Sequence, residues 1–279
     1  TSIGTHTVTL RLQNRKTGEN VVNVTMALEI VAPLSASKKV IFIGDSLTAA
    51  GIYPAFIQHV LSEGKIESLG TVSRNVLIEG TTYSISHEGR SGWAAYDYTR
   101  TVSNYRTDKD NPFWDGSKFD FSYYMTQQGY EGVDCVFLNL GTNAFGRNEE
   151  ECNALDIMIE SIHAYNPTIP IIISLCPPPA TQDGVGEFAG YQYASLLKRQ
   201  ELSLIQSYLE KYQDKEANVF VSEVYINLDR LLDFDTIEIP ASSRNPQLIT
   251  VQNNNVHPSV YGYLKMGDVY YSTINDVLG

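Results

Sequence analysis

Basic charge is scarce in this 279-residue chain: 20 lysines and arginines stand against 32 aspartates and glutamates, for a formal charge of −12. Such a balance repels polyanions, so neither nucleic acid nor an anionic membrane surface is an expected partner, and no nucleic-acid motif is present. Long hydrophobic runs are missing as well. Apolar stretches such as residues 169–175 fall far short of the roughly 20 residues that a membrane-spanning helix needs. No basic-then-apolar signal segment opens the chain, and its first residue is Thr1 rather than Met, which reads as a processed or excised start. Cysteine is sparse. Cys135, Cys152 and Cys176 leave at least one thiol unpaired and have no metal-ligand spacing, which excludes a disulfide-stapled scaffold and leaves them as small hydrophobes. What is present is ordinary globular composition, 43% hydrophobic and 19% charged, in a length that suits one large domain or one domain with a small appendage.

The first segment differs from the rest. Val8, Leu10 and Leu12 alternate with polar residues, Asn14 to Gly18 supply turn chemistry, and Val22, Val24, Met26, Leu28 and Ile30 alternate again. Residues 1–37 therefore read as a β-hairpin extension, or the tail of an upstream β module, ending in a connector at 32–37. Two strands alone are marginal in water, so the hairpin must pack on something. Residues 38–279 follow a strand-helix rhythm: strand 39–43, helix 50–63, a strand near 75–79, strand 133–140, helix 149–165, strand 169–175, helix 189–212, strand 218–222 and a helix after Pro258. A long aromatic-rich loop is expected over 103–124, and residues 223–256 have no clear pattern. Strands separated by helices pair in parallel through right-handed crossovers, which predicts a three-layer α/β/α sandwich.

Four segments could carry chemistry. Val40-Ile41-Phe42-Ile43-Gly44-Asp45-Ser46-Leu47 is a core-type strand that stops on a serine, at the end of a parallel strand where α/β folds bind ligands. Ser46 is either a nucleophile or part of a helix start. Gly89-Arg90-Ser91-Gly92 lets backbone amides approach an oxyanion, or is simply a turn. Leu140-Gly141-Thr142-Asn143 ends a strand on an amide that either donates to developing negative charge or closes a local turn. In Asn254-Asn255-Val256-His257-Pro258 the proline fixes the direction of the histidine before it. His257 is the strongest candidate base, because His6, His59, His87 and His163 have no comparable setting.

In order and character these segments resemble the four blocks of the SGNH or GDSL hydrolases, a family of esterases and lipases. The resemblance covers about residues 38–277 and leaves the hairpin out. It implies a flavodoxin-like parallel sheet, a nucleophile at Ser46, an oxyanion donor at Gly92 with Gly89 as the fallback, a second donor at Asn143 and a catalytic histidine at His257. One departure stands out. Where the family commonly carries an aspartate three residues before the histidine, this chain has Asn254. An asparagine there either leaves a Ser–His dyad oriented by a backbone carbonyl, defers to a carboxylate from elsewhere, or weakens the site by favouring the wrong imidazole tautomer. The dyad is the favoured reading.

The implied reaction is acyl transfer through Ser46, and it needs no metal or organic cofactor. Asp45, Trp93 and Trp114 are candidate substrate contacts. Aromatic residues near the blocks, with Tyr96, Tyr98, Phe113, Phe119, Phe121, Tyr123 and Tyr124, would suit the apolar faces of sugar rings, although about half of them are expected to be core. The expected partner is therefore a small-molecule or polysaccharide ester, with acetyl the favoured acyl group. An extracellular or cell-surface setting follows by analogy, and the sequence is silent on oligomeric state. The alternatives are a catalytically weak or inactive carbohydrate-binding module on the same fold, and a lipid or thioester hydrolase.

Overall fold

The computed structural model describes residues 3–100, 111–144, 146–182, 192–215 and 217–279. The alternating N-terminal segments form β1 (Gly4–Gln13) and β2 (Asn20–Ile30), an antiparallel hairpin. Both strands are largely exposed, including Leu10, Leu12, Val22 and Val24.

The rest is built on β3 (Lys38–Gly44), which is followed by the short helices α1 (Ser46–Ala49) and α2 (Ile52–Phe56) and a π-helical turn over Ile57–Leu61. Next come β4 (Ile66–Leu69), β5 (Val72–Ile78), β6 (Thr81–Gly89), α3 (Ala95–Tyr98) and α4 (Phe121–Gln128). The alternation continues through β7 (Cys135–Asn139), α5 (Asn148–Tyr165), β8 (Ile171–Ser174), α6 (Ala194–Tyr212) and β9 (Val219–Ser222). A second hairpin, β10 (Thr236–Ser242) with β11 (Asn245–Gln252), precedes the final helix α7 (Val260–Leu278).

The sheet runs β5-β6-β3-β7-β8-β9, with β4 also paired to β3. One edge of β3 is shared: its first half pairs with β4 and its last two residues pair with β6, all in parallel, while the other edge takes β7. Side chains then sort by parity, because successive residues of a strand face opposite ways. Ile41, Ile43, Val136, Leu138, Ile171 and Ile173 join the core under α3 to α6, whereas Val40, Phe42, Cys135, Phe137 and Ile172 pack with Leu47, Tyr53, Met266, Tyr270 and Ile274 on the α7 side. This is the three-layer α/β/α sandwich expected from the sequence.

Three local expectations are corrected. The single strand near 75–79 is the first half of a β5-β6 hairpin turning at Glu79-Gly80, both at positive φ, and its antiparallel pairing gives the otherwise parallel sheet one antiparallel edge. The polar run Thr81-Thr82-Tyr83-Ser84 hides β6 from a hydrophobicity pattern. The aromatic loop over 103–124 is largely core where it is described: Phe113 stacks on Phe119 at 4.9 Å and on Tyr124 at 4.2 Å, and Phe121 and Tyr124 lie on α4. Residues 101–110 of that loop and 189–191 of the helix expected over 189–212 lie outside the described residues. Segment 223–256 contains the β10-β11 hairpin, which leads directly into the loop that carries His257.

Candidate active site

β3 ends where its chain must turn sharply. Gly44 leaves room for that turn, since a Cβ there would collide with Thr48 Oγ1 and lie 2.7 Å from the Asn139 carbonyl oxygen. Asp45 then caps α1, its Oδ1 accepting the Leu47 amide at 2.8 Å. Ser46 is the first residue of α1 and is half-buried at the carboxyl end of the central strand.

The base comes from the far end of the chain. His257 Nε2 lies 2.7 Å from Ser46 Oγ. Its loop is clamped on several sides: Asn255 N donates to Gln192 Oε1 at 2.7 Å, the Asn255 carbonyl accepts Ala180 N at 3.0 Å, and Ser259 N donates to the Asp233 carbonyl at 2.8 Å. Gln252 ties the end of β11 to Thr181 N and to the Arg230 carbonyl, at 2.8 and 2.7 Å. None of these glutamines carries a sequence signal, because their partners are backbone groups distant in the chain.

His257 Nδ1 faces Asn254 Nδ2 at 3.1 Å. The favoured expectation of a backbone carbonyl at that nitrogen is therefore corrected: the Asn254 amide occupies the place. Burial lowers the His257 pKa from its ordinary 6.5.

Asn143 follows β7 and sits beside the nucleophile turn. Its Nδ2 donates to the Trp93 carbonyl at 3.0 Å and reaches Asp45 Oδ2 at 3.4 Å, while its carbonyl accepts the Tyr96 hydroxyl at 3.1 Å. Gly92 adopts φ 76°, a left-handed conformation that favours glycine. Gly89, the fallback donor, is spent elsewhere, since its N–H donates to His87 Nδ1 at 3.0 Å and a Cβ on it would collide with Ala49 N.

The three candidate substrate contacts fare differently. Asp45 is fully buried and faces inward, and burial pushes its pKa up to about 7 from 3.8, with nearby Glu151, itself raised to about 7 by burial, adding to the effect. It holds the turn and cannot line a cleft. Trp93 is 5% exposed and packs edge-on against Tyr98 at 4.8 Å, so it too belongs to the core. Trp114 is half-buried in an isolated bridge to Phe119.

Beneath the nucleophile lies a buried polar relay that the sequence did not disclose. Thr48 Oγ1 and the Tyr53 hydroxyl are 2.7 Å apart, Asn139 Nδ2 reaches Tyr53 at 3.4 Å, and the Tyr270 hydroxyl accepts from Ser174 Oγ at 2.8 Å. Tyr98 closes the other side, with its hydroxyl 2.8 Å from the Gly44 carbonyl and 2.6 Å from that of Glu88. Among the described residues, no group of three or more His, Cys, Asp or Glu side chains is arranged to hold a metal ion.

A serine at the carboxyl end of a parallel strand, hydrogen-bonded to a histidine that enters before the last helix, is the arrangement of a serine hydrolase. The chain belongs to the GDSL-like lipase/acylhydrolase family, whose model matches residues 40–269, and it is a carboxylic ester hydrolase. No curated protein matches the sequence. Solved structures with the same fold include a family 3 carbohydrate esterase from Clostridium thermocellum, with TM-score 0.54 and 17% identity over 86% of this chain and 97% of that one. A carbohydrate esterase family 3 structure from Talaromyces cellulolyticus gives TM-score 0.53 and 17% identity over 86% and 98% of the two chains. An acetyl esterase variant with bound acetate gives 0.51 and 16% over 86% and 98%.

Proposed function

We propose that this ester hydrolase removes small acyl groups, acetyl foremost, from a carbohydrate. The observation that carries the reading is the 2.7 Å contact between Ser46 Oγ and His257 Nε2. In this mechanism His257 takes the Ser46 proton as Oγ attacks the ester carbonyl, the Ser46 and Gly92 amides and the Asn143 side chain hold the oxyanion, and the imidazolium protonates the leaving sugar oxygen. Water then enters by the same route and releases the acid. The Asn143 amide lies against the nucleophile turn, with Nδ2 donating to the Trp93 carbonyl at 3.0 Å and reaching Asp45 Oδ2 at 3.4 Å, and in this mechanism the longer of those contacts is exchanged for the oxyanion.

The sugar ester is supported by the names of the fold relatives, two family 3 carbohydrate esterases and an acetyl esterase holding acetate. Aromatic stacking supports it less than expected, because most of the candidate aromatics are buried in the core. Residues 1–37 form a unit apart from the 38–279 hydrolase domain in this reading, and an extracellular or cell-surface setting suits a polysaccharide substrate. Among the described residues no helix is long and apolar enough to cross a membrane.

The test is acetate release from acetylated polysaccharide and from p-nitrophenyl acetate, beside Ser46→Ala and a series of longer acyl chains. Ser46-dependent release that falls with chain length is expected. Equal release by the Ser46→Ala variant would overturn the serine mechanism, and a preference for long chains would overturn the acetyl assignment.

A further inference from the structure

Which way round the Asn254 amide sits is decided by its neighbours. Its Oδ1 accepts two backbone hydrogen bonds, from Val256 N at 2.8 Å and from His257 N at 3.0 Å. Both partners are donors, so turning the amide over would press its NH2 hydrogens against two N–H groups. Nδ2 is thereby directed at His257 Nδ1, 3.1 Å away. An NH2 group has no lone pair to offer a donor, so Nδ1 must accept. The proton of the neutral ring then sits on Nε2, 2.7 Å from Ser46 Oγ.

We infer that Asn254 is a positioning residue that holds resting His257 in the Nε2–H tautomer, so that the hydrogen bond of the resting pair runs from His257 to Ser46 and the base is held back. The inference rests on the esterase reading above and states how that site is restrained. For turnover the ring proton must move to Nδ1 and the amide must turn over, giving up both backbone bonds so that Oδ1 can accept from Nδ1. Nε2 then has the lone pair that takes the Ser46 proton, while Oγ bonds the acyl carbon and the carbonyl π pair moves onto oxygen. When that pair returns, the C–O bond to the sugar breaks and the leaving oxygen takes the proton from Nε2. Acyl-Ser46 is then hydrolysed by water through the same two transfers. An aspartate at position 254 would present oxygens to both sets of donors without rotation, which is why a carboxylate favours the productive tautomer.

The experiment is long-range proton–nitrogen NMR of the histidine rings in 15N-labelled protein, with His257→Gln to assign the resonance, in the native chain and in Asn254→Asp. The native ring is expected to show an unprotonated Nδ1 and a protonated Nε2, and Asn254→Asp to move the proton to Nδ1. Alongside, Ser46-dependent kcat on p-nitrophenyl acetate should rise in Asn254→Asp by roughly 10²–10⁴, the range set by an Asp-to-Asn exchange in a serine protease, which costs about 10⁴. A protonated Nδ1 in the native protein, or a kcat in Asn254→Asp within about threefold of native, would overturn the inference. If neither protein shows Ser46-dependent turnover, the esterase reading is overturned, whereas the ring resonances of the native protein decide the tautomer without any substrate.

Discussion

Ser46 and His257 lie 2.7 Å apart at Oγ and Nε2 although 211 residues separate them in sequence. Neither end of this pair is free to drift. Ser46 begins a helix capped by buried Asp45, and His257 sits in a loop held by Asn255, Gln252 and Ser259. Precise placement of this kind is what converts a weak hydroxyl into a usable nucleophile.

Asn143→Ala should lower kcat by roughly 10²–10³ with little change in KM, the usual cost of one oxyanion donor. Steady-state kinetics on p-nitrophenyl acetate read this directly. A parallel rise in KM with unchanged kcat would instead assign Asn143 to ground-state binding.

The two glycines of the second block should separate stability from catalysis. Gly89→Ala drives a methyl into the Ala49 backbone, which has no side chain to swing aside, so a loss of roughly 1–3 kcal/mol or more is expected in urea unfolding. Gly92→Ala strains a φ of 76° at the proposed oxyanion donor, so its loss of kcat should exceed its loss of stability.

Tyr98→Phe removes the hydroxyl that serves the buried Gly44 and Glu88 carbonyls. A cost of roughly 1–3 kcal/mol is expected in chemical denaturation, because buried acceptors lose a donor and gain no water. Gly44 O keeps its bond from Arg90 N at 2.8 Å, which places the expectation toward the lower end.

Stability should fall as pH rises from about 4 to 7 through Asp45 and Glu151. Their folded pKa values, about 7, lie above the ordinary 3.8 and 4.5, so the native state binds more protons than the unfolded chain across that window. His87, lowered to about 4 by burial, opposes this between about 4 and 6.5. Glu151→Gln, which keeps an acceptor for the Ala95 amide, should flatten the carboxyl contribution in thermal melts between pH 5 and 8. An unchanged slope would assign the effect to other groups.

The acid limb of kcat/KM should have its midpoint below 6.5, because burial disfavours protonated His257 and the neutral ring persists to lower pH. A pH profile measured with a neutral substrate checks it.

The sequence alone determined the layer architecture and the order of the four blocks. Apolar runs such as Val40–Ile43 and Val136–Leu138 can be satisfied only by burial on both faces, and local turn chemistry places Gly44, Gly92 and Pro258 at strand and helix ends. It missed β6 because that strand is polar on its exposed half, and it expected about half of the aromatics near the blocks to be core without separating Phe113, Phe121 and Tyr124 from the rest, because a ring's hydrophobicity is the same in a core as in a cleft. Trp93 and Asp45 were misplaced for the same reason: identity does not encode which way a side chain points from a turn. The state of the site belongs to the tertiary structure. That Asn254 stands three residues before His257 is legible in the chain; that two backbone amides claim its oxygen and turn its nitrogen to Nδ1 is decided only when the loop is folded, because hydrogen-bond donors compete by position and not by order along the sequence.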